Sequence, residues 1–300
     1  MRVLLVNRDH ALWLGGDAMQ VESTQRALHH LGVHIDYSPD LTIDLTPYDV
    51  VHLFHLNYCW TATMAQRCRE AGIPYVVSCI FYPEVREVSL AEMREVVLHA
   101  HATIVNSPIE RGQMMALLGV DAEQIHVVPN GIDADLWQRG RRRNGPALTF
   151  ARVVPAKGLI FAAQACHELG IPLVVFGLAG GYPDYDATLR SLGTRLLGVH
   201  RQAVLATAAR AASVYLCTSL SDVQSLSVLE AAQCGLPIVD TIHNPGASLL
   251  PSSRIVNPRD HHALVQAIVA QRSGPDNTDH VPTWLDVGRQ ILDCYPPTAD

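Results

Sequence analysis

Lysine is almost absent from this chain: Lys157 is the one lysine among 22 basic residues. The formal net charge is −7, which disfavours sequence-independent nucleic-acid binding, because that needs a positive face. No apolar run is long enough to span a membrane, and Met1–Val6 is interrupted too soon by Asn7-Arg8-Asp9 to read as a signal peptide. The seven cysteines are scattered, odd in number and without a C-x-x-C pair. They read as small buried apolar residues in a reducing cytoplasm. G-x-G-x-x-G is missing as well, which disfavours a dinucleotide dehydrogenase.

What is present is apolar. Hydrophobic residues make up 48% and charged residues 17% of the 300 positions, enough for two cored domains. Short apolar runs alternate with amphipathic segments, the pattern of βα units and parallel sheets. The runs predict strands at 2–7, 33–37, 50–54, 75–79, 102–106 and 126–128, with helices at 18–31, 61–71, 90–99 and 109–118. A polar stretch at 139–146 reads as a linker. The alternation then restarts, with strands at 148–151, 172–176, 214–217 and 237–240 and helices at 159–169, 203–211, 227–234, 261–271 and 283–294. The expected fold is α/β: two Rossmann-like, doubly wound parallel-sheet domains, 1–143 and 144–280, facing a cleft, with 281–300 packing back toward the first. In open α/β folds ligands sit at the carboxyl ends of the strands.

In an arginine-biased chain, the surviving lysine marks a place where a compact ammonium on a flexible stem is needed. Lys157 lies in Ala151-Arg152-Val153-Val154-Pro155-Ala156-Lys157-Gly158, where a strand leads through Arg and Lys-Gly into a helix, a cradle for a diphosphate. The alternative is codon bias and one surface lysine. Gly15-Gly16-Asp17 precedes the first helix, where glycines let N–H groups approach an anion; an ordinary turn explains it equally. Asp222-Val223-Gln224-Ser225-Leu226-Ser227-Val228-Leu229-Glu230 places one carboxylate in a loop and another inside a helix. Glu230 is placed to accept bonds from sugar hydroxyls, whereas Ser227-x-x-Glu230 also reads as a capping box, which periodicity alone favours.

Taken together, Val128-Pro129-Asn130-Gly131-Ile132-Asp133, the Ala-Arg-x4-Lys-Gly element and Asp222-x7-Glu230-Ala-Ala followed by Gly235-Leu236-Pro237-Ile238-Val239 resemble the retaining GT-B glycosyltransferases of family 4. The agreement runs over nearly the whole chain, and Trp284 and Tyr295 resemble that family's closing segment, which crosses back onto the first domain. The resemblance implies a nucleotide-diphosphate-sugar donor as co-substrate, transfer with retention to an unidentified hydroxyl acceptor (glycan, lipid or small molecule), and no cofactor or metal. It implies catalytic roles for Arg152, Lys157, His55 and Asp222. The implied donor-binding set is Gly16, Arg152, Lys157, Gly177, Asp222, Ser225, Leu226, Ser227 and Glu230, with the base near Gly177–Gly181 and Val199-His200. Gly15, Asp17, Asn57 and Asn106 are implied on the acceptor side.

Two positions depart from the family pattern: Asp222 stands where Glu is usual, and Ala151 where Gly is usual. A third feature is unsettled by sequence. The family's H-x-H falls on His52-Leu53-Phe54-His55, so Phe54 or, with a one-residue shift, His55 takes the second position. A zinc site from His52 and His55 lacks a third ligand. The other paired histidines, on helices, read as solvated faces. Arg139–Arg143 reads as a solvated linker, with contact to an anionic acceptor or membrane surface as the minority reading. Two rivals stay open: a phage-type DNA glucosyltransferase acting on hydroxymethylated pyrimidines, and a catalytically inactive nucleotide-sugar-binding protein.

Overall fold

The computed structural model describes residues 1–7, 15–82, 86–140 and 144–297. The chain divides into two compact units, Met1–Gly131 with Pro282–Asp300, and Ile132–Val281. The second unit therefore begins before the polar stretch at 139–146. Ile132 and Trp137 are buried in its core beside Phe150 and Tyr215, and that burial fixes the boundary.

The first unit runs β1 (Arg2–Val6), α1 (Gly16–His30), β2 (His34–Ser38), β3 (Val50–Phe54), α2 (Cys59–Ala71), β4 (Tyr75–Ser78), α3 (Leu90–His99), β5 (Ala102–Val105), α4 (Pro108–Leu118) and β6 (Ile125–Val127). Its strands form one parallel sheet in the order β2-β1-β3-β4-β5-β6. β3, β4 and β5 are buried at every position, as strands covered by helices on both faces must be. Helix starts follow local chemistry. Ser89 and Glu92 form a capping box before α3, and Ser107 caps α4 ahead of Pro108.

The second unit runs β7 (Ala147–Phe150), α5 (Leu159–Glu168), β8 (Leu173–Phe176), α6 (Pro183–Ser191), β9 (Arg195–Leu196), α7 (Gln202–Ala211), β10 (Val214–Leu216), α8 (Leu226–Gln233), β11 (Ile238–Thr241), β12 (Arg254–Val256) and α9 (His261–Ser273). Its sheet is also parallel, ordered β12-β11-β10-β7-β8-β9. Three of these elements, α6, β9 and β12, go beyond the sequence reading.

The closing helix, α10 (Trp284–Asp293), belongs to the first unit and lies against α1. Gly288 permits the approach: a Cβ there would stand 2.9 Å from the Ala27 side chain. Beyond α10, the Tyr295 hydroxyl meets His52 Nδ1 at 2.8 Å in the interior. Both sheets are α/β and Rossmann-like, as the alternation of apolar runs predicts.

Candidate functional site

Strand order decides where each sheet can bind a ligand. In the second sheet the chain winds outward from β7 through β8 to β9, then returns to β10 and winds the other way. Open α/β sheets bind ligands at the carboxyl ends of the strands where the order reverses, here β7 and β10. Arg152 and Lys157 follow β7; Asp222 and α8 follow β10.

Lys157 ends a short 3-10 turn, Pro155–Lys157, and Gly158 turns left-handed at φ 60° to start α5. The glycine is required twice over, because a Cβ would also overlap the Thr218 carbonyl oxygen. The two connections are thus in backbone contact, and the Leu220 amide donates to the Ala156 carbonyl at 2.9 Å. Across this seam Lys157 Nζ donates to Asp222 Oδ2 at 2.7 Å, with side-chain exposures of 25% and 9%. Burial lowers the lysine pKa, but the charge and hydrogen bond of Asp222 outweigh it, so the ammonium is held above its ordinary value; the positive charge of Arg152 opposes this. Arg152 itself is exposed, and its side chain makes no hydrogen bond or ion pair among the described residues.

Glu230 does not cap α8, which corrects the capping-box alternative. The N-cap is Ser225, and its side chain accepts no capping bond. The Ser227 hydroxyl instead accepts from Tyr215 at 2.8 Å and shares a 3.0 Å bond with Ser225. Tyr215 also receives the Phe150 amide at 3.0 Å, which ties the ends of β7 and β10 to the start of α8. Glu230 is left as a partly buried carboxyl without a hydrogen-bond partner among the described residues, and burial pushes its pKa up to about 8.

Gly177 follows β8. A Cβ there would overlap the Ala151 carbonyl oxygen, so only glycine lets the β8 connection close against the β7 connection. Val153 N then donates to Leu178 O at 2.8 Å and Gly177 N to Gly198 O at 2.9 Å. Leu178 and Val199 on these loops are 64% and 65% exposed.

Sequence reasoning missed Asp240, at the end of β11. It is fully buried and accepts from Thr241 N at 2.8 Å and Asn244 Nδ2 at 2.9 Å. Burial pushes its pKa up to about 7 against those bonds, and the charge of Asp222 adds to the rise. An Asp closing the apolar run Leu236–Val239 was the available signal.

In the first sheet the winding reverses between β1 and β3. Gly15 is the N-cap of α1, extended at φ −159°, and Gly16 is its first residue. In the next position Asp17 Oδ2 lies 3.3 Å from His55 Nε2, with side-chain exposures of 9% and 5%. His55 is left-handed at φ 65°, as is Ile80 at φ 43° beyond the neighbouring strand. Such conformations cost non-glycine residues energy and gather at functional edges. His52 is buried between Tyr295 and Ser78, 2.8 Å from each hydroxyl, and burial lowers its pKa to about 3. Asn57 brackets the backbone of Tyr82, and Asn106 Nδ2 donates to Val128 O at 3.4 Å. Glu110, also missed, is buried and accepts from Phe81 N at 2.9 Å and Asn106 N at 2.5 Å, with its pKa raised by burial to about 7. The spacing Ser107-x-x-Glu110 was its signal.

The linker reading is corrected at its start: Arg139 Nη2 donates to Asn277 O at 2.6 Å and Gly140 N to Cys234 O at 3.0 Å. Arg141–Arg143 lie outside the described residues. Asp-x-Asp spacings occur at Asp133/Asp135 and Asp184/Asp186, and each has a carboxylate engaged by local backbone, Asp133 by Asp135 N and Asp186 by Gly180 N. Among the described residues no three metal-ligating side chains converge, and no helix is long and apolar enough to cross a membrane.

Comparison with known proteins agrees with this fold. Residues 26–136 match the model described as Glycosyltransferase Family 4, and residues 146–271 match Glycosyl transferases group 1. Curated relatives include D-inositol 3-phosphate glycosyltransferases of Mycobacterium bovis and Mycobacterium tuberculosis, 26% identical over 226 residues, covering 64% of this chain. The match spans 46% of those relatives, about half their length. Among solved structures, Anabaena HepE in complex with UDP and glucose superposes with a TM-score of 0.76 at 16% identity, covering 98% of both chains. Sucrose-phosphate synthase from Thermosynechococcus elongatus gives 0.75 at 16% identity, covering 98% of this chain and 94% of that one. Each unit thus carries a match to a glycosyltransferase model, and the chain shares the GT-B fold of these solved structures.

Proposed function

We propose that this chain transfers a hexosyl group from a nucleotide-diphosphate sugar to a hydroxyl acceptor, with retention at the anomeric carbon and without a metal ion. The observation that carries the reading is the pairing of Arg152 and Lys157 at the switch point of the second sheet, two cations on one connection beside the free end of α8. As the sugar bond breaks, negative charge grows on the departing diphosphate. Preorganised cations in a partly desolvated crevice stabilise that charge more than water can, usually the largest single catalytic contribution. They take the place a divalent ion fills elsewhere.

Glu230 suits the ribose: a carboxyl without a partner accepts from two vicinal hydroxyls when ionised. The exposed side chains of Leu178 and Val199 offer apolar surface to a base held over Gly177. The His55–Asp17 pair at the first sheet's switch point belongs to the acceptor side, an Asp holding an imidazole in one orientation. UDP-sugars are the first donors to try, since HepE was solved in complex with UDP-glucose.

The test is a thermal-shift panel of UDP-, GDP-, ADP- and TDP-sugars with and without EDTA, followed by donor hydrolysis and transfer assays. One donor should stabilise the fold in proportion to its affinity, EDTA should change nothing, and turnover should follow. Lys157→Ala should lower turnover by on the order of 100-fold. Affinity without turnover would leave a nucleotide-sugar-binding protein instead.

A further inference from the structure

We propose that Asp222 is an internal anion that occupies Lys157 until the donor's diphosphate displaces it, and so sets donor affinity and diphosphate release, rather than a ligand for the transferred sugar. The inference rests on the donor-site reading above.

Both oxygens of Asp222 are already committed. Oδ2 accepts from Lys157 Nζ at 2.7 Å, and Oδ1 accepts from the Val223 amide at 3.1 Å. Its own amide is held by the His243 carbonyl at 3.0 Å, so the residue is fixed from the β11 connection as well. At 9% side-chain exposure it has little surface left for sugar hydroxyls.

The charge arithmetic points the same way. Lys157 is the chain's one lysine, and the carboxylate beside it is Asp222, which the buried carboxyl of Asp240 in turn repels. An incoming diphosphate meets Lys157 already neutralised. Two anions cannot share one partly buried cation without repelling each other, so binding must weaken the ion pair, and release of the product is assisted when Asp222 recaptures the ammonium. A sugar-contact role predicts something different: loss of affinity for the sugar-bearing donor, with the bare nucleoside diphosphate unaffected.

The experiment compares wild type with the near-isosteric Asp222→Asn by calorimetric titration. It uses whichever of UDP, GDP, ADP and TDP stabilises wild type, and the matching nucleotide sugar. Competition predicts that Asp222→Asn binds the bare diphosphate about tenfold tighter, equivalent to ~1.4 kcal/mol, with a steeper loss of affinity as salt rises. Unchanged or weaker diphosphate binding overturns the proposal, most directly if only the nucleotide sugar is affected. Asp222→Ser, with melting curves for every form, guards against a folding defect: it too must bind the diphosphate tighter, and if it does not the proposal falls. Should no nucleoside diphosphate bind any form, the donor-site reading itself is wrong, and the inference goes with it.

Discussion

At the residue scale, Glu230 carries a prediction that its neighbours do not. Burial without a hydrogen-bond partner raises its pKa to about 8, so near pH 7 the ligand-free carboxyl is mostly protonated. Ribose hydroxyls donate to the ionised form and favour it, so donor binding must lower the pKa and expel a proton. Affinity should therefore rise with pH up to about 8 and then level off. Calorimetry in two buffers of different ionisation enthalpy would register proton release near pH 7. Glu230→Gln, which has no proton to lose, should flatten the pH profile and abolish the release. A profile that stays steep in the variant would place the titrating group elsewhere.

Lys157 and Glu230 stand out in the sequence as candidates because their residue types are out of place: a lysine in an arginine chain, and a carboxyl in a largely apolar helix. Asp222 stands out as a candidate too, but its engagement with Lys157 does not, since an ion pair across two connections is a tertiary fact. Asp240 and Glu110 escaped because each sits among residues that local pattern already explained, as a strand end and as a first-turn acid.

At the scale of elements, the site depends on two places where backbone touches backbone. Gly158 lies on the Thr218 carbonyl, and Gly177 on the Ala151 carbonyl. Gly177 has an ordinary backbone conformation, so its requirement is purely steric and makes the cleaner test. Gly177→Ala should force the β7 and β8 connections apart and break the Val153–Leu178 bond at their start. Overpacking of this kind costs about 1–3 kcal/mol, and the displaced Arg152 connection should weaken donor binding beyond that. Denaturant melts and a donor titration on the same preparation separate the two effects. An alanine variant with wild-type stability and affinity would refute the close-packed seam.

The helices other than α6 and the central strands are readable from periodicity, because strands buried on both faces are continuous apolar runs. The elements not foreseen share a cause. β9 and β12 are edge strands of two and three residues with exposed positions, too short and too polar to stand out. α6 begins Pro183-Asp184-Tyr185-Asp186 and buries only Leu189, so it shows no stripe. Edge and surface elements are fixed by what they lie beside, which local sequence does not record.

At the scale of the whole molecule, the buried ionisable groups divide unequally between the two units, and this has a consequence for acid and base stability. In the first unit Glu110 is raised to about 7 and His52 lowered to about 3. In the second, Asp240 and Glu230 are both raised, to about 7 and about 8. A raised carboxyl keeps its proton when folded and loses it when unfolded, so its contribution is fully present below the unfolded pKa, near 4, and is lost as pH climbs through the folded value. A lowered histidine has the opposite slope: folded it stays neutral while the unfolded chain takes up a proton, so stability falls as pH drops below about 6.5.

Between pH 5 and 6.5 the first unit's two slopes therefore oppose and largely cancel. The second unit's two slopes add, each at most about 1.4 kcal/mol per pH unit. Raising the pH across this window should loosen the second unit while leaving the first nearly unchanged. Native-state hydrogen exchange resolved by segment would show it, after correction for the intrinsic pH dependence of exchange: opening free energies in β10 and β11 should fall, and those in β3 and β4 should hold. Asp240→Asn removes one of the two titrations and should reduce the second unit's slope by about half. Equal slopes in both units, or a slope indifferent to that substitution, would mean that the buried carboxyls do not govern the second unit's response to pH.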